Sequence, residues 1–564
     1  MRKADEQQYK HFYRFMPLPS TMVMLLLFFV PLFFTLSSAF VTEQGFSLSR
    51  ILGVFLDPYT QRIMLFTLYQ AFLSTLASLL VALPGAYLIA TYSFRGKRFI
   101  LALSAIPFVI PSILVVLGFV IFFGNNGFLN QLLMRLFGLP APPLSILYSF
   151  KAIILAHTFY NFPIIMNLVS SYWEHMDSNC EAASWTLGAT KSRTFLSVTL
   201  PRLLPAIISA ASLVFLFCFN SFAIIMVLGG GPQFTTMEVE IYRQARMLGN
   251  PGNAAALSLF SILVTVLLLA WYNNRERHLA RSEAYQSKNR FVQKKPATFL
   301  GRMLAVLYTL ASILFILGPI LSVVVRSFMA APSRSSAQQF SLKWYRQLLS
   351  LEPATGHMGS ALQALTNSLF IAFLVALCTI PLALTLSVAI RRKSSRKKGL
   401  EMLGMLPMTV SSVIIGLGYY LISSRIRGGT ALSYTLVVLA HMVIAIPFVL
   451  RTLLPEYRKI PLSYMHSSLT LGAGPWRTFV SIEVPLLRGA MLTGAIFAFA
   501  LSMGEFNATL TLANSSIVTL PIIMYRLIGS YNFQGACALG TILIVVCAIV
   551  FSVSELAKGG RNGR

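Results

Sequence analysis

One carboxylate stands out by its surroundings. Of the 17 acidic residues in this 564-residue chain, Glu505 alone sits well inside an apolar stretch, AMLTGAIFAFALSMGEFNATLTL (490–512). A charge in hydrocarbon is expensive and is by default a functional hypothesis. With aromatic faces beside it, a carboxylate would suit a cationic solute; its oxygens would equally suit a metal ion in transit. The plainer reading is a buried acid paired with an arginine or hydrogen-bonded to a helix. Asn507 follows two residues later, and Asn220 and Ser221 occupy a comparable apolar stretch. These four are the candidates for a solute pathway. His157 and His441 recur in the same Leu-Ala-His context, which suits structural hydrogen bonds between helices better than metal ligation. Catalysis has little support. The chain has no G-x-x-x-x-G-K-[ST] phosphate loop, and its Gly96-Lys97 pair lacks the upstream glycine. No metal cluster or nucleophile–base arrangement is legible, so we expect a non-enzyme without a cofactor of its own.

The elements that position these residues are organised as a repeat. Residues 184–201 read SWTLGATKSRTFLSVTLP and residues 468–485 read SLTLGAGPWRTFVSIEVP. The offset of 284 also relates His157 to His441, Pro163 to Pro447 and Phe222 to Phe506. Glu505 thereby falls opposite Ser221, so the halves differ at the candidate acid. Repetition on this scale means two copies of one folding unit. Pro107, Ser112 and Gly118 match Pro407, Ser412 and Gly418 at an offset of 300 instead. The first half therefore carries 16 extra residues within 124–150, a loop rich in Gly, Asn and Pro.

Composition sets the solvent. The chain is 56% hydrophobic and 11% charged, with a mean hydropathy of +0.72. Apolar runs of about 20 residues cross a bilayer as helices. Twelve are expected, at 21–41, 63–92, 99–123, 151–172, 203–228, 254–272, 299–325, 366–390, 399–422, 434–454, 488–513 and 534–555. The fold class is thus an all-α polytopic membrane protein of about twelve transmembrane helices in two parallel repeats. The domains are a first half (1–272), a basic linker (273–298) and a second half (299–564). With the N-terminus inside, 32 of the 45 lysines and arginines lie in inner loops or tails, the bias the positive-inside rule requires. Both termini are then cytoplasmic. The net charge of +28 reads as a topological signal with attraction to anionic membrane lipids. Because the basic residues are scattered over short loops, no nucleic-acid partner is expected. The run from Thr21 to Val41 is longer than a signal-peptide core, so an uncleaved anchor is expected. Four of the five cysteines sit in apolar spans and Cys180 faces the cytosol, which suggests packing residues and no disulfide framework.

In this topology both repeated blocks face the cytoplasm. A short helix from Glu181 to Lys191 is expected, with Gly188 and Gly472 as C-caps and Pro201 and Pro485 restarting the next span. The pattern Glu181-Ala182-Ala183, Gly188 and Leu200-Pro201 resembles the coupling loop of ABC-importer permeases. The second copy departs from it, with Met465, His466 and Ser467 in place of Glu-Ala-Ala, but keeps Leu471-Gly472-Ala473 and Pro485.

The resemblance implies a type I ABC importer permease fold. It also implies that Glu181, Ala182, Ala183, Leu187, Gly188, Ala189, Leu471, Gly472 and Ala473 meet a separate cytosolic ATPase, which binds the ATP. The expected partners are two ATPase copies and a periplasmic or lipid-anchored substrate-binding protein, in a bacterial inner (cytoplasmic) membrane. The stretches FNSFAIIMVLGGGPQFTTMEVEIYRQA (219–245) and TLPIIMYRLIGSY (519–531) resemble permeases of bacterial thiamine importers, with the fused two-half permeases of ferric-iron importers as near relatives. The substrate implied is thiamine or a related small cation; iron is the alternative. An ion-coupled secondary transporter shares the twelve-span architecture, but it would need several intramembrane ionisable groups.

Overall fold

In a computed structural model the chain is described except at residues 1–10, 14, 43–44, 95, 105, 284–298, 331–339, 350–360, 393–396, 427, 514–516 and 560–564. The described residues are almost entirely helical, apart from a small antiparallel pairing of Val41–Thr42 with Gly45–Phe46 and one isolated bridge. Among them, 11 helices are long and apolar enough to cross a membrane, or 12 if one bent pair is a single span. Most of the expected spans are therefore observed. The N-terminal run is a helix through Leu18–Phe40, and the last begins at Phe533. Helix starts follow local chemistry: Asp57 accepts from the Thr60 amide at 3.1 Å, with Pro58 in the first turn, and Ser411 accepts from the Ile414 amide at 3.3 Å.

Some expected spans are not single straight helices. The run 399–422 is bent by 88° between Gly399–Thr409 and Ser412–Arg425; Pro407 occupies a tight 3-10 turn there. The runs 203–228 and 488–513 each break, at Asn220–Phe222 and at Glu505–Phe506, before the short helices Ala223–Leu228 and Asn507–Leu512. Hydropathy continues across both breaks, so no signal in composition marks them. The 124–150 insert is also more ordered than its Gly, Asn and Pro content suggests. It contains the Phe128–Phe137 helix, which is pinned by the buried Asn130 through the Gly124 carbonyl (2.9 Å) and both polar groups of the Leu144 backbone (2.8 and 3.0 Å). The linker expected from residue 273 begins as a continuation of the Pro251–Glu283 helix; its remainder, 284–298, lies outside the described residues.

The chain folds into two compact units. One comprises residues 53–240 and 260–326, the other 1–52, 241–259 and 327–564. Each holds most of the core of one half together with the first span of the other half. In the second unit the Leu18–Phe40 helix lies on the Ser412–Arg425 helix. Gly418 meets the Pro31 backbone, Tyr419 donates to the Leu27 carbonyl at 2.8 Å, and Thr385 donates to Ser20 at 2.6 Å. In the first unit the Phe299–Ser327 helix packs the same way: a Cβ on Gly118 would lie 2.9 Å from the Pro319 carbonyl oxygen. Tyr308 donates to the Val81 carbonyl at 3.1 Å. Glycine is needed at both contacts because the crossing backbones leave no room for a side chain. Met24, Leu386, Ile390, Ile446, Leu450 and Leu454 form one core; Ala90, Trp173, Met176 and Leu203 form part of the other.

Candidate functional site

The first repeated block folds as a short helix, a left-handed turn and a continuous climb into the next span. The helix is Asn179–Thr186 rather than the expected 181–191, because Gly188, at φ +80°, turns the chain back early. The amides of Gly188 and Ala189 bond to the carbonyls of Trp185 and Ser184, both at 3.0 Å, a closure that favours glycine. Ser184 and Thr194 share a 2.8 Å hydroxyl bond that straps the short helix to the rising one. Ala182, Ala183 and Gly188 are exposed and Ala189 is half-buried. Leu187 is 87% exposed at the tip. Glu181 points the other way. It is buried, and Thr199 donates to its carboxylate at 2.6 Å.

The second block repeats this geometry. Its helix is Leu462–Thr470 and Gly472 has φ +81°. The amides of Gly472 and Ala473 bond to Leu469 and Ser468 at 3.0 and 3.1 Å. Ser468 and Thr478 repeat the hydroxyl strap at 2.8 Å, and Leu471 is again 87% exposed. Both copies pass through a π-helical turn, Phe195–Thr199 and Phe479–Glu483, in the same register. A cleft of about 640 Å³ borders the second tip, lined by Tyr464, Leu471, Arg477 and Ile482 among others. An apolar leucine left exposed at each tip is a ready contact for another protein.

The four pathway candidates divide between the units, two at each helix break. Glu505 is extended at the break, and its Oε1 accepts from the Ala508 amide at 2.8 Å, capping the Asn507–Leu512 helix. Asn507 donates to Ser412 at 3.1 Å, while its Oδ1 is buried without a hydrogen-bond partner. The Phe506 ring lies 5.3 Å from that of Tyr525. In the other unit Asn220 ends its helix and accepts from Thr265 at 3.4 Å; Ser221 follows in the break, half-buried. Non-helical backbone at membrane depth survives only inside protein or beside a water-filled cavity.

The histidines bond hydroxyls, as their symmetry suggested. His157 meets Ser74 at 2.9 Å; His441 meets Ser502 and Thr509, each at 2.8 Å. His441 thus ties the two sides of the break at Glu505. Among the described residues no group of three or more His, Cys, Asp and Glu side chains could hold a metal. Cys218, Cys537 and Cys547 are buried, whereas Cys180 and Cys378 are exposed, and none forms a disulfide.

Composition misses several acids. Glu505 is only half-buried, whereas Glu181, Glu238, Glu240 and Glu483 are buried. Ser261 donates to Glu238 at 2.9 Å and Tyr59 to Glu240 at 3.4 Å. Tyr13 and Tyr457 both donate to Glu483, at 2.9 and 2.5 Å. These acids lie near span ends in sequence, where hydropathy predicts exposure, and tertiary neighbours cover them. The repeat held a clue for Glu483, since it stands opposite Thr199, the partner of Glu181.

Residues 82–281 and 379–556 each match the family described as binding-protein-dependent transport system inner membrane component. The chain is 27% identical to the thiamine transport system permease protein ThiP of Escherichia coli, over 90% of this chain and 91% of that protein. It is also 27% identical to ThiP of Haemophilus influenzae, over 88% and 89%. Haemophilus influenzae also has a protein named "Putative ferric transport system permease protein FbpB 1", 24% identical over 90% of this chain and 78% of its own length. With matches in both halves that together span more than half its length, the chain belongs to the binding-protein-dependent transport system inner membrane component family, as a multi-pass, non-catalytic permease subunit of an ABC importer.

Proposed function

We propose that this permease carries thiamine or a closely related small organic cation, with both repeated blocks docking on cytosolic ATPase subunits. The observation that carries the substrate reading is the break at 505–506. It sets a carboxylate, an unpartnered amide oxygen on Asn507 and the Phe506–Tyr525 ring pair within one short stretch of the fold. A cation with an aminopyrimidine ring wants a counter-charge, an acceptor for its N–H groups and aromatic faces. The ThiP relatives carry thiamine in their names. The first half offers Ser221 and Ala223 at the matching positions, so the recognition is one-sided.

Two ATPase copies, one under each block, follow from the equal geometry of the two exposed tips. The lysine and arginine bias orients the chain with both termini and both blocks in the cytoplasm. An external binding protein, soluble in the periplasm or lipid-anchored, delivers the solute to the opposite face.

The test is uptake of labelled thiamine into vesicles holding this chain with its ATPase and binding protein. ATP-dependent uptake that ferric iron does not inhibit is the expected result. Iron uptake without thiamine uptake would overturn the substrate while leaving the architecture, and the FbpB 1 relative makes iron the second reading.

A further inference from the structure

The second block lacks the glutamate that opens the first, yet it does not lack a buried carboxylate. At an offset of 284, Glu181 becomes Met465 and Thr199 becomes Glu483. The acid has moved from the short helix to the π-helical turn it packs beside. Met465 is 2% exposed and Glu483 fully buried. In the first block the carboxylate is on the short helix and its hydroxyl donor on the rising one, joined at 2.6 Å. In the second the carboxylate is on the rising helix, and its donors are phenols. Tyr457, from the end of the preceding span, donates at 2.5 Å. Tyr13, from the segment before the first span, donates at 2.9 Å across 470 residues of sequence.

The Tyr13 contact is continued by packing. Phe12 sets its ring 6.1 Å from that of Trp476, edge to face, and Trp476 lies 6.1 Å from Phe479. The residues before the two first spans align through Arg14 with Arg302, Thr21 with Thr309 and Pro31 with Pro319, which puts Gly301 opposite Tyr13. The first half therefore has neither the phenol nor a carboxylate at the turn to receive it. Four positions have changed together: Glu181, Thr199, Trp173 and Gly301 in one set, Met465, Glu483, Tyr457 and Tyr13 in the other. A buried carboxylate stripped of a donor pays its desolvation in full, so the acid and its phenols stand or fall as a set.

We propose that Glu483 is the positioning residue of the second coupling loop, replacing the missing glutamate at 465, and that Tyr13 makes the N-terminal segment part of that loop's support. The second ATPase contact is then held from two directions, by the preceding span and by the start of the chain. The first is held by its own short helix. This rests on the reading of the blocks as ATPase-docking loops.

The experiment uses the assembled transporter in vesicles and reads uptake per ATP hydrolysed, which a change in protein amount does not move. Glu483→Thr should lower that ratio by about tenfold, the effect of about one charge-assisted hydrogen bond. The double variant Met465→Glu with Glu483→Thr rebuilds the first block's arrangement and should recover most of the ratio. Tyr13→Phe should lower the ratio in the parent and have no effect in the double variant, where the phenol has lost its acceptor. A normal ratio for Glu483→Thr, a double variant no better than the single, or an unchanged Tyr13→Phe would each overturn the proposal. In parallel, Leu187→Cys and Leu471→Cys variants are tested for cross-linking to the ATPase. If neither cross-links, the docking reading fails and this proposal with it. If both do and Glu483→Thr is normal, the docking reading stands and only the role of Glu483 and Tyr13 is lost.

Discussion

The two helix breaks have the same backbone register and different buttresses. Ala223–Leu228 and Asn507–Leu512 begin and end at equivalent repeat positions, and Phe222 and Phe506 are both buried between the pieces. At the second break His441 bonds a hydroxyl on each side, Ser502 before and Thr509 after, while Glu505 caps the outgoing helix. The equivalent positions in the first half are Cys218 and Ile225, which offer no hydroxyl. His157 turns to Ser74 instead, and Gln70 takes the Cys218 carbonyl at 2.9 Å. Duplication preserved where the chain breaks, and each half found its own way to satisfy the groups exposed there. The copy holding the acid is braced across the gap; the other is braced from a neighbouring helix.

Substitutions can separate what the halves share from what they do not. The largest effect is expected where the first spans pack. Gly418→Leu and Gly118→Leu both drive a side chain into a crossing backbone. Overpacking costs about 1–3 kcal/mol or more, so both variants should yield little monodisperse protein in detergent. If only one fails, the two packings are not equivalent. Next is the acid itself. Glu505→Gln should cut the initial rate of solute uptake by about tenfold or more, as loss of one buried charge contact does, while Ser221→Ala stays within about twofold. Equal losses would mean that recognition is shared between the breaks and would sink the one-sided reading.

A smaller effect is expected at the loop tips. Gly188 and Gly472 have nearly the same positive φ, and a Cβ at either would meet nothing within 4 Å. Alanine therefore adds only backbone strain, roughly 1–2 kcal/mol, and the two variants should lower ATP-driven uptake alike. Unequal losses would point instead to the different support of the two loops, Glu181 with Thr199 in one and Glu483 with Tyr13 and Tyr457 in the other. The smallest contrast is between the histidines. His441→Ala removes two bonds across a break and His157→Ala one, so the former should be less stable by about 1 kcal/mol in a thermal melt of purified protein.

Much of this molecule is legible without coordinates, for identifiable reasons. Gly188 and Gly472 could be read as helix C-caps because a glycine at the end of a short helix, repeated in register, signals a left-handed turn. The spans could be counted because about 20 apolar residues have no other stable use in a bilayer. The opposite holds for Asn220 and Glu505. A helix break inside an apolar run leaves hydropathy unchanged, so along the sequence both residues read as polar intruders in continuous helices. Hydropathy does not mark Glu238, Glu240 and Glu483 as buried, because much of their cover comes from other elements of the fold, such as Ser261, Tyr59 and Tyr13.

The amino-acid sequence by itself determined the duplication, the membrane as solvent and the two tips, since each is a property of local pattern: period, run length and turn chemistry. Tertiary structure alone decided which first span packs on which core, where the helices break and what receives the relocated acid. Those outcomes depend on pairings such as Gly418 with Pro31 and Tyr13 with Glu483. Contacts across hundreds of residues follow from steric fit and hydrogen-bond satisfaction in three dimensions, and no spacing along the chain encodes them.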